Sequence, residues 1–207
     1  MTKNAALIIV VALGSAATAS IALSQPVAPY PAYKAEDHWL FREHVSPGDK
    51  ERNWSRTIID VDSNNQIQVR LGNGSVEKYD AAMNHLPQGR EDRRRILAKY
   101  PMKVGDEWSF SVASDNPNWA ETGSSRVESF EQIVVPAGTF QCFKVNSHST
   151  RGWRYSGVYT TWSRWYCPEI KWFAKEERME QSRDSGNPAN VGTRYIKLEL
   201  VRFVPGK

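Results

Sequence analysis

Aromatic residues are concentrated in one short part of this 207-residue sequence. Eight of them lie between Trp153 and Phe173, and arginine and lysine residues are interleaved with them. Aromatic side chains on alternate strand positions can stack against a sugar or an apolar chain, and arginines between them can bind an anionic group. Aromatic pairs that only stabilise a sheet give the same pattern, and this is the commoner cause. The candidate ligand-binding residues are Trp153, Tyr155, Tyr159, Trp162, Arg164 and Trp165.

The sequence has no motif for catalysis or for metal binding. It lacks the G-x-S-x-G, Walker and dinucleotide-binding patterns, and no two histidines have the i, i+4 spacing of a zinc helix. His38 and His44 would share one face of a strand, but no third ligand can be identified beside them. We therefore expect no metal, no cofactor and, on balance, no enzyme. The remaining histidines are His85 and His148.

The N-terminus has the organisation of a secretory signal peptide. Lys3 precedes a compact apolar block at residues 5–13, and small residues follow from Gly14 to Ser20. Cleavage after Ala19 or after Ser24 fits the small-x-small rule, and the second choice gives a signal peptide of residues 1–24. The alternative is an uncleaved membrane anchor at residues 5–23. No cysteine follows the apolar block, so a lipid anchor is not expected, and we predict a periplasmic or secreted bacterial protein.

The mature chain has the length of one domain. Removing 24 of 207 residues leaves 183, and removing Lys3 lowers the net charge from +4 to +3. Such a mild basic balance does not call for a nucleic-acid partner. Residues 25–35 contain three prolines and predict an extended Pro/Ala lead, while residues 36–207 predict a single antiparallel β domain. Contact with a membrane is expected only through an uncleaved signal anchor, and the oligomeric state is left open.

The two cysteines, Cys142 and Cys167, predict one disulfide in an exported protein, because oxidising compartments form and keep such bonds. Two cysteines without paired histidines do not make a metal site. The closed loop of about 25 residues corresponds to roughly 3 kcal/mol of stabilisation in the chain-entropy model.

Period-2 alternation of apolar and polar residues predicts strands along most of the mature chain. Residues 54–79 predict a three-stranded meander, with the hairpin signal Asn73-Gly74 between its last two strands. Further strands are predicted at residues 107–112, 126–135, 139–146, 158–167, 171–178 and 195–204. About nine strands with frequent turns indicate a mainly β fold, an antiparallel curled sheet that forms an incomplete barrel or a sandwich.

Residues 89–99 predict the single short helix. Glu91 and Asp92 near its start and Lys99 at its end suit the helix dipole, and Pro101 would end it. The run Arg93-Arg94-Arg95 could bind an anion, but a solvated helix face is the more usual meaning of a short charge run.

Three segments resemble a largely uncharacterised family of secreted bacterial β-proteins. They are YPMKVGDEW at residues 100–108, VPAGTF at residues 135–140 and WYCPEIKWFAK at residues 165–175, in the same order as in that family. The resemblance covers about the last half of the chain, and the VPAGTF hairpin is its distinctive part. It implies an exported antiparallel sheet wrapped into an incomplete barrel, and it supplies no catalytic residues. In physical terms, Pro136 and Gly138 also suit the corners of a tight turn.

Three functional classes remain open. The expected one is a non-enzymatic binding module for an apolar or glycan ligand in the cell envelope. The second is a structural or interaction protein that docks an envelope partner through an edge strand or a basic patch. The third is a hydrolase of an envelope polymer, which would need two carboxylates about 5–10 Å apart. Carboxylates that could serve are Glu128, Glu131 and Glu169.

The predicted cleavage site can be checked by the intact mass of the protein purified from the envelope fraction of its host. We expect the mass of residues 25–207 with two hydrogens missing, because one disulfide forms. The mass of residues 20–207 would instead place cleavage after Ala19. The mass of the entire chain would contradict cleavage and would favour the anchor.

Overall fold

Antiparallel β-strands form almost all the regular structure of the chain. A computed structural model describes residues 25–87, 90, 93–116, 120–153, 156–184 and 191–207, so the predicted signal peptide lies outside the described residues. The strands are β1 (Val27–Ala28), β2 (His38–Ser46), β3 (Lys50–Val61), β4 (Ile67–Leu71), β5 (Val76–Tyr79), β6 (Met102–Lys103), β7 (Glu107–Val112), β8 (Glu121–Val135), β9 (Gly138–Trp153), β10 (Ser156–Cys167), β11 (Trp172–Asp184) and β12 (Gly192–Val204).

Ten of these strands form a single sheet in the order β5-β4-β3-β2-β12-β11-β10-β9-β8-β7. Strands β1 and β6 form a separate antiparallel pair. The edge strands β5 and β7 do not pair with each other, so the sheet stays open. The predicted fold class, a mainly β antiparallel sheet that is not closed into a full barrel, is confirmed. In the described part of the chain no helix has the length and apolar character needed to cross a bilayer.

The hairpins that local turn residues specify are present. The meander predicted over residues 54–79 is formed by β3, β4 and β5, and Gly74 has a φ of +87° at its last turn. The VPAGTF motif joins β8 to β9, with Gly138 at a φ of +138°. A positive φ costs glycine little and strains other residues, so this motif works as a turn. Strands β8 to β12 all begin earlier or end later than the alternation of residue types predicts.

The first and last strands of the sheet pair in its middle. Strand β2 lies beside β12 over the pairs from His38–Val204 to Ser46–Tyr195. The two edges of the sheet are therefore formed by β5 and β7, which lie on either side of residues 80–101 in the chain. This crossing segment, as we call residues 80–101, must pass from one edge of the sheet to the other.

The crossing segment packs against the face of the sheet that carries the core. Its side chains Met83 and Ala98 are 0% and 2% exposed. Asn84 is also buried, and its Oδ1 atom accepts hydrogen bonds from the backbone N–H groups of Leu97 (2.6 Å) and Ala98 (3.1 Å). Its Nδ2 atom donates to the carbonyl of Ala98 at 3.2 Å. The Asn84 side chain thus joins two parts of an irregular segment. It supplies the hydrogen-bond partners that buried backbone groups need where no strand or helix provides them.

The prediction of a helix at residues 89–99 is wrong for its described part. Residues 94–99 have no helical structure, and residues 89, 91 and 92 lie outside the described residues. Ion pairs explain the difference: Arg93 pairs with Asp115, Arg94 with Asp80 and Arg95 with Glu121. Arg93 and Arg95 tie the crossing segment to other parts of the domain, and Arg94 joins two parts of the segment itself, so the three arginines do not form a solvated helix face.

The Pro/Ala lead contains β1 and packs against the domain. Ala28 is fully buried, and the ring of Tyr30 lies 5.5 Å from the ring of Tyr100. The hydroxyl of Tyr33 donates to the backbone carbonyl of Lys171 at 2.9 Å. The lead therefore contributes to the core and is held by the β1–β6 pair, by Tyr30 and by Tyr33.

The core lies between one face of the sheet, the crossing segment and the lead. Aromatic and aliphatic side chains from both halves of the chain meet there in one cluster. Its largest fully buried members are Trp39, Phe41, Ile58, Ile67, Met83, Met102, Phe143, Tyr166, Ile170 and Leu200.

The predicted disulfide is formed between Cys142 on β9 and Cys167 at the end of β10. Both residues are completely buried, and the pairing of Tyr166 with Phe143 brings the two strands into contact beside them. A 3-10 turn at Pro168–Ile170 follows Cys167 directly and leads into β11. The bond therefore joins this turn to a neighbouring strand inside the core.

Replacing Cys142 with Ser should lower the free energy of unfolding by about 2–4 kcal/mol, because the unfolded chain regains the entropy of a 25-residue loop. The measurement is urea unfolding of the wild type and the variant, each with and without reductant. Reductant should lower the midpoint of the wild type and leave that of the variant unchanged. Equal wild-type midpoints in both conditions would contradict the prediction.

Candidate ligand-binding groove

The residues predicted to bind a ligand lie on or beside β10, but they do not form one surface. Tyr155 lies outside the described residues, and for Trp153 the structure describes only its place at the end of β9. Within β10, Trp162 and Trp165 are three positions apart without an intervening bulge, so they point to opposite faces, as the sequence predicts. Each is only 5% exposed.

Trp162 lies on the core face among cationic groups. The guanidinium of Arg164 lies 5.0 Å from its ring centre and that of Arg95 lies 5.8 Å away. Arg164 is itself buried and donates from Nε to Glu176 at 2.7 Å. Burial raises the pKa of Glu176, but the guanidiniums of Arg164 and Arg178 outweigh burial and hold that pKa below its ordinary value. Arg164 is therefore occupied by an ion pair within the protein.

Trp165 lies on the other face, between two lysines. The ammonium groups of Lys175 and Lys144 lie 4.5 and 5.2 Å from its ring centre. Its indole Nε1 donates to Oε1 of Glu131 at 2.7 Å, and the hydroxyl of Ser129 donates to the same carboxylate. The hydrogen bond from Trp165, followed by that from Ser129, lowers the pKa of Glu131. Burial opposes this shift, and the nearby Lys144 and Lys175 add to it.

A long groove runs across the face of the sheet opposite the core. We call it the tyrosine groove, because Tyr159 on β10 and Tyr195 on β12 are 41% and 55% exposed in it. Its volume is about 1170 Å³, and residues of seven strands, from β7 to β12 and β2, line it. At a strand spacing of about 4.8 Å, it extends roughly 25–30 Å across the sheet.

Met179 lies between the two tyrosines on the same face. It pairs with Tyr195 on one side and with Thr161 on the other, and Thr161 is two positions from Tyr159. Tyr195, Met179 and Tyr159 thus form a row of apolar surface, in which Tyr195 lies opposite Met179 and Tyr159 lies diagonally from it. Trp162 also borders the groove, although its side chain is buried.

The rest of the lining is mostly polar and comes from strand positions that face solvent. The polar residues that line the groove on this face are His44, Ser46, Glu107, Ser109, Ser124, Arg126, Glu128, Asn146, His148, Thr161, Ser163, Glu177 and Lys197. Hydroxyl and amide groups from neighbouring strands bond to each other, as where the Ser163 hydroxyl donates to Oδ1 of Asn146 at 2.8 Å. The hydroxyl of Ser124 and Nε2 of His148, on neighbouring strands, lie 3.3 Å apart, which is also within hydrogen-bonding distance. The surface thus offers both donors and acceptors.

The charges in the groove are largely balanced. Arg126 lies 3.1 Å from Glu107 and 3.7 Å from Glu128, so one guanidinium serves two carboxylates. Lys197 pairs with Glu199 at 2.9 Å. All of these side chains are partly or largely exposed, so each pair contributes little to stability. Such groups remain available to a ligand.

The histidines do not form a metal site. His38 and His44 share one face of β2 but lie six residues apart, roughly 20 Å along a strand. Nδ1 of His38 lies 2.7 Å from the hydroxyl of Thr57, and Nε2 of His44 lies 3.6 Å from Asp49. Among the described residues, no group of three or more His, Cys, Asp or Glu side chains is placed to hold a metal ion.

Most of the groove was missed by sequence reasoning. Of the candidates it named, Tyr159 and Trp162 line the groove, whereas Arg164 and Trp165 are engaged within the protein. Tyr195 and Met179 were not singled out, although alternation in β11 and β12 places both on the solvent face. Of the named carboxylates only Glu128 lines the groove, since Glu131 bonds to Trp165 and Glu169 lies in the turn after β10.

Comparison with known proteins gives only distant similarities. No family model matches the chain, and no curated protein is significantly similar to it. A predicted lipoprotein from Parabacteroides distasonis has a TM-score of 0.46 at 14% identity, over 87% of this chain and 100% of that one. A predicted exported protein with a YmcC-like fold from Bacteroides fragilis has a TM-score of 0.44 at 13% identity, over 86% and 99%.

The hypothetical lipoprotein YmcC from Escherichia coli is a further similar structure. Its TM-score is 0.41 at 11% identity, over 82% of this chain and 86% of that one. At these values the similarities assign no role to any residue of this chain.

Replacing Glu131 with Gln should lower stability at neutral pH by about 1 kcal/mol, since a charged acceptor for Trp165 is lost and the site is partly exposed. A carboxylate with a lowered pKa stabilises the fold above its unfolded pKa, and this contribution disappears as the pH falls through the folded pKa. The difference between wild type and variant, measured by urea unfolding, should therefore shrink below about pH 4.5. The matched control is the exposed Glu169→Gln, which should behave like the wild type. A difference that stays constant with pH would contradict this account.

Proposed function

We propose that the chain is exported to the bacterial envelope and that the tyrosine groove binds a glycan without catalysing a reaction. Export is supported by the signal-peptide pattern of residues 1–24 and by the buried disulfide, which suits an oxidising compartment. The binding role depends on one observation, the exposure of Tyr159 and Tyr195 within a long groove that is otherwise lined by polar side chains.

The mixed lining favours a sugar over an apolar chain. A sugar has an apolar face that can lie on an aromatic ring and a rim of hydroxyls that needs donors and acceptors. Tyrosine suits the first requirement because its ring is apolar and its hydroxyl is polar. The serines, Asn146 and the paired charges around Arg126 meet the second. A purely apolar ligand would leave most of these polar groups without partners, which costs free energy.

The shape of the groove favours an extended ligand. It crosses seven strands, and the row of Tyr159, Met179 and Tyr195 follows a diagonal of the sheet. An oligosaccharide of several units can lie along such a row and contact both tyrosines. Except for the edge strand β7, the strands that form the floor are held by backbone hydrogen bonds on both sides, so most of the surface exists before a ligand arrives, which favours binding.

Hydrolysis of a glycan is the second candidate, because Glu107, Glu128 and Glu177 line the same groove. A general acid needs an apolar enclosure that keeps it protonated at neutral pH. The Glu107 side chain is 63% exposed and that of Glu128 is 39% exposed, and both pair with Arg126. Neither side chain has such an enclosure, and both can accept hydrogen bonds from hydroxyls, as expected for binding without catalysis.

Replacing Tyr159 or Tyr195 with Ala should weaken binding of oligosaccharides released from the envelope of the host. Loss of one exposed aromatic contact is expected to cost about 1–2 kcal/mol, or roughly 5–30-fold in Kd. Binding is measured by native mass spectrometry and by isothermal titration. The double variant should bind more weakly than either single variant.

The matched control is Tyr30→Ala, because Tyr30 is 57% exposed but lies outside the groove. Its affinity should equal that of the wild type. Equal affinity in all three single variants would place the ligand elsewhere. Shortened oligosaccharides after incubation with the wild type, but not with Glu128→Gln, would establish hydrolysis and overturn a purely binding role.

A further inference from the structure

The outward side chains of neighbouring strands lie in register across the groove face. In an antiparallel sheet, residues that pair directly lie side by side on the same face. Pairs followed from strand to strand therefore form bands that run perpendicular to the strands. Three such bands cross the groove face, and no register shift interrupts their pairs.

The middle band passes through Tyr195, and we call it the Tyr195 band. All its members line the tyrosine groove, and none of them is buried. From β2 across the sheet to β7 they are Ser46, Tyr195, Met179, Thr161, His148, Ser124 and Ser109. The band contains no Asp, Glu, Lys or Arg, so its polar groups are mainly hydroxyls.

The second band, the Tyr159 band, lies beside the first, two positions away along each strand. None of its members is buried, and none is charged. From β12 to β7 they are Thr193, Gln181, Tyr159, Thr150, Thr122 and Ser111. Eight of the thirteen residues in the two bands are Ser or Thr, whereas 24% of the whole chain is charged. The surface around the two tyrosines thus offers hydroxyl groups in place of charges.

The charges of the groove are confined to its other side, and they do not suit an acidic ligand. The third band, on that side, consists of His44, Lys197, Glu177, Ser163, Asn146, Arg126 and Glu107. Arg126 pairs with two carboxylates, and Lys197 pairs with Glu199. Glu177 pairs with Lys175 at 2.7 Å. An acidic glycan would have to displace a carboxylate from one of these cations and would be repelled by the carboxylates nearby.

The spacing within a band matches that of an extended glycan. Neighbouring strands lie about 4.8 Å apart, which is close to the length that one sugar unit adds to an extended chain. A glycan that lies along the boundary of the two uncharged bands therefore meets a new pair of side chains at each unit. Seven strands line the groove, so about six or seven units span it. Such a chain contacts Tyr195 from one band and Tyr159 from the other.

We propose that the ligand of the tyrosine groove is an extended, uncharged glycan that lies across the strands on the Tyr195 and Tyr159 bands. The inference rests on the glycan-binding function proposed above and adds two properties of the ligand, its lack of charge and its length. Serine and threonine hydroxyls donate and accept hydrogen bonds as sugar hydroxyls do, so the two surfaces complement each other without ion pairs. Binding of this kind is insensitive to salt, because salt screens interactions between charges.

The test separates the oligosaccharides released from the envelope of the host by ion exchange into uncharged, acidic and basic fractions. Binding of each fraction to the wild-type protein is measured by native mass spectrometry and isothermal titration. We expect the uncharged fraction to bind and the acidic fraction to bind about tenfold more weakly or less. The affinity of the uncharged fraction should be the same at about 50 and 500 mM salt. It should rise with chain length up to about six or seven units and then stay constant.

A pair of variants with opposite charge at one position tests the same point from the side of the protein. Thr161→Lys and Thr161→Glu place a charge at the centre of the Tyr195 band. An uncharged ligand should lose affinity in both, to within about threefold of each other, whereas an acidic ligand would bind the Lys variant much more tightly than the Glu variant. The matched control pair is Gln132→Lys and Gln132→Glu. Gln132 is exposed on β8 outside the groove, so both should bind like the wild type.

The outcomes separate this inference from the function on which it rests. Binding confined to the acidic or the basic fraction, or equal affinity for the uncharged and acidic fractions, would overturn the inference and leave glycan binding intact. Absence of binding in every fraction would overturn both. The fractions are tested on the wild type, so the result stands even where a variant fails to fold.

Discussion

A buried carboxylate, that of Asp37, holds together the parts of the chain on which the sheet depends. Asp37 is fully buried, and its oxygens accept from Nζ of Lys171 at 2.8 and 3.1 Å. They also accept from the backbone N–H groups of Lys34 and Gly206, each at 2.9 Å. The lead, the C-terminus and the turn after β10 therefore meet at one charged group. A buried charge is costly unless it is paired and hydrogen-bonded, so these contacts fix the positions of the three segments relative to one another.

The central pairing of β2 with β12 explains why the two faces of the sheet differ. Asp37 lies at the start of β2 and Gly206 follows β12, so the first and last strands of the large sheet pair at its centre. The edges must then be β5 and β7, which one continuous segment connects. That segment can cover only one face. It brings Met83 and Ala98 into the core and leaves the opposite face, with its two exposed tyrosines, open to solvent.

Sequence reasoning succeeded where the determining interactions are local. The Asn73-Gly74 and Pro136-Ala137-Gly138 turns specify their hairpins through the φ of one residue, and alternation of residue types identifies β7 from end to end. It failed at residues 94–99, where apolar spacing and terminal charges suit a helix. There Asn84 hydrogen-bonds to the backbone of Leu97 and Ala98, and Arg95 pairs with Glu121, which is 26 residues away. Interactions between parts distant in the chain outweigh weak local propensity.

The same distinction explains the candidate site. Aromatic density drew attention to β10, and alternation placed Trp162 and Trp165 on opposite faces, but the cations that pack against them, Arg95 and Lys175, come from other parts of the chain. Tyr195 reaches the groove from a strand that sheet order, not sequence, places two positions from β10. Strand β11 has two different faces, because Arg178 lies opposite Trp162 on the core face while Glu177 and Met179 face the groove. Strand β11 lies between the two strands that carry the tyrosines, and the ion pairs of Arg164 and Arg178 with Glu176 hold it on the core face, so charges on one face of the sheet support the surface on the other.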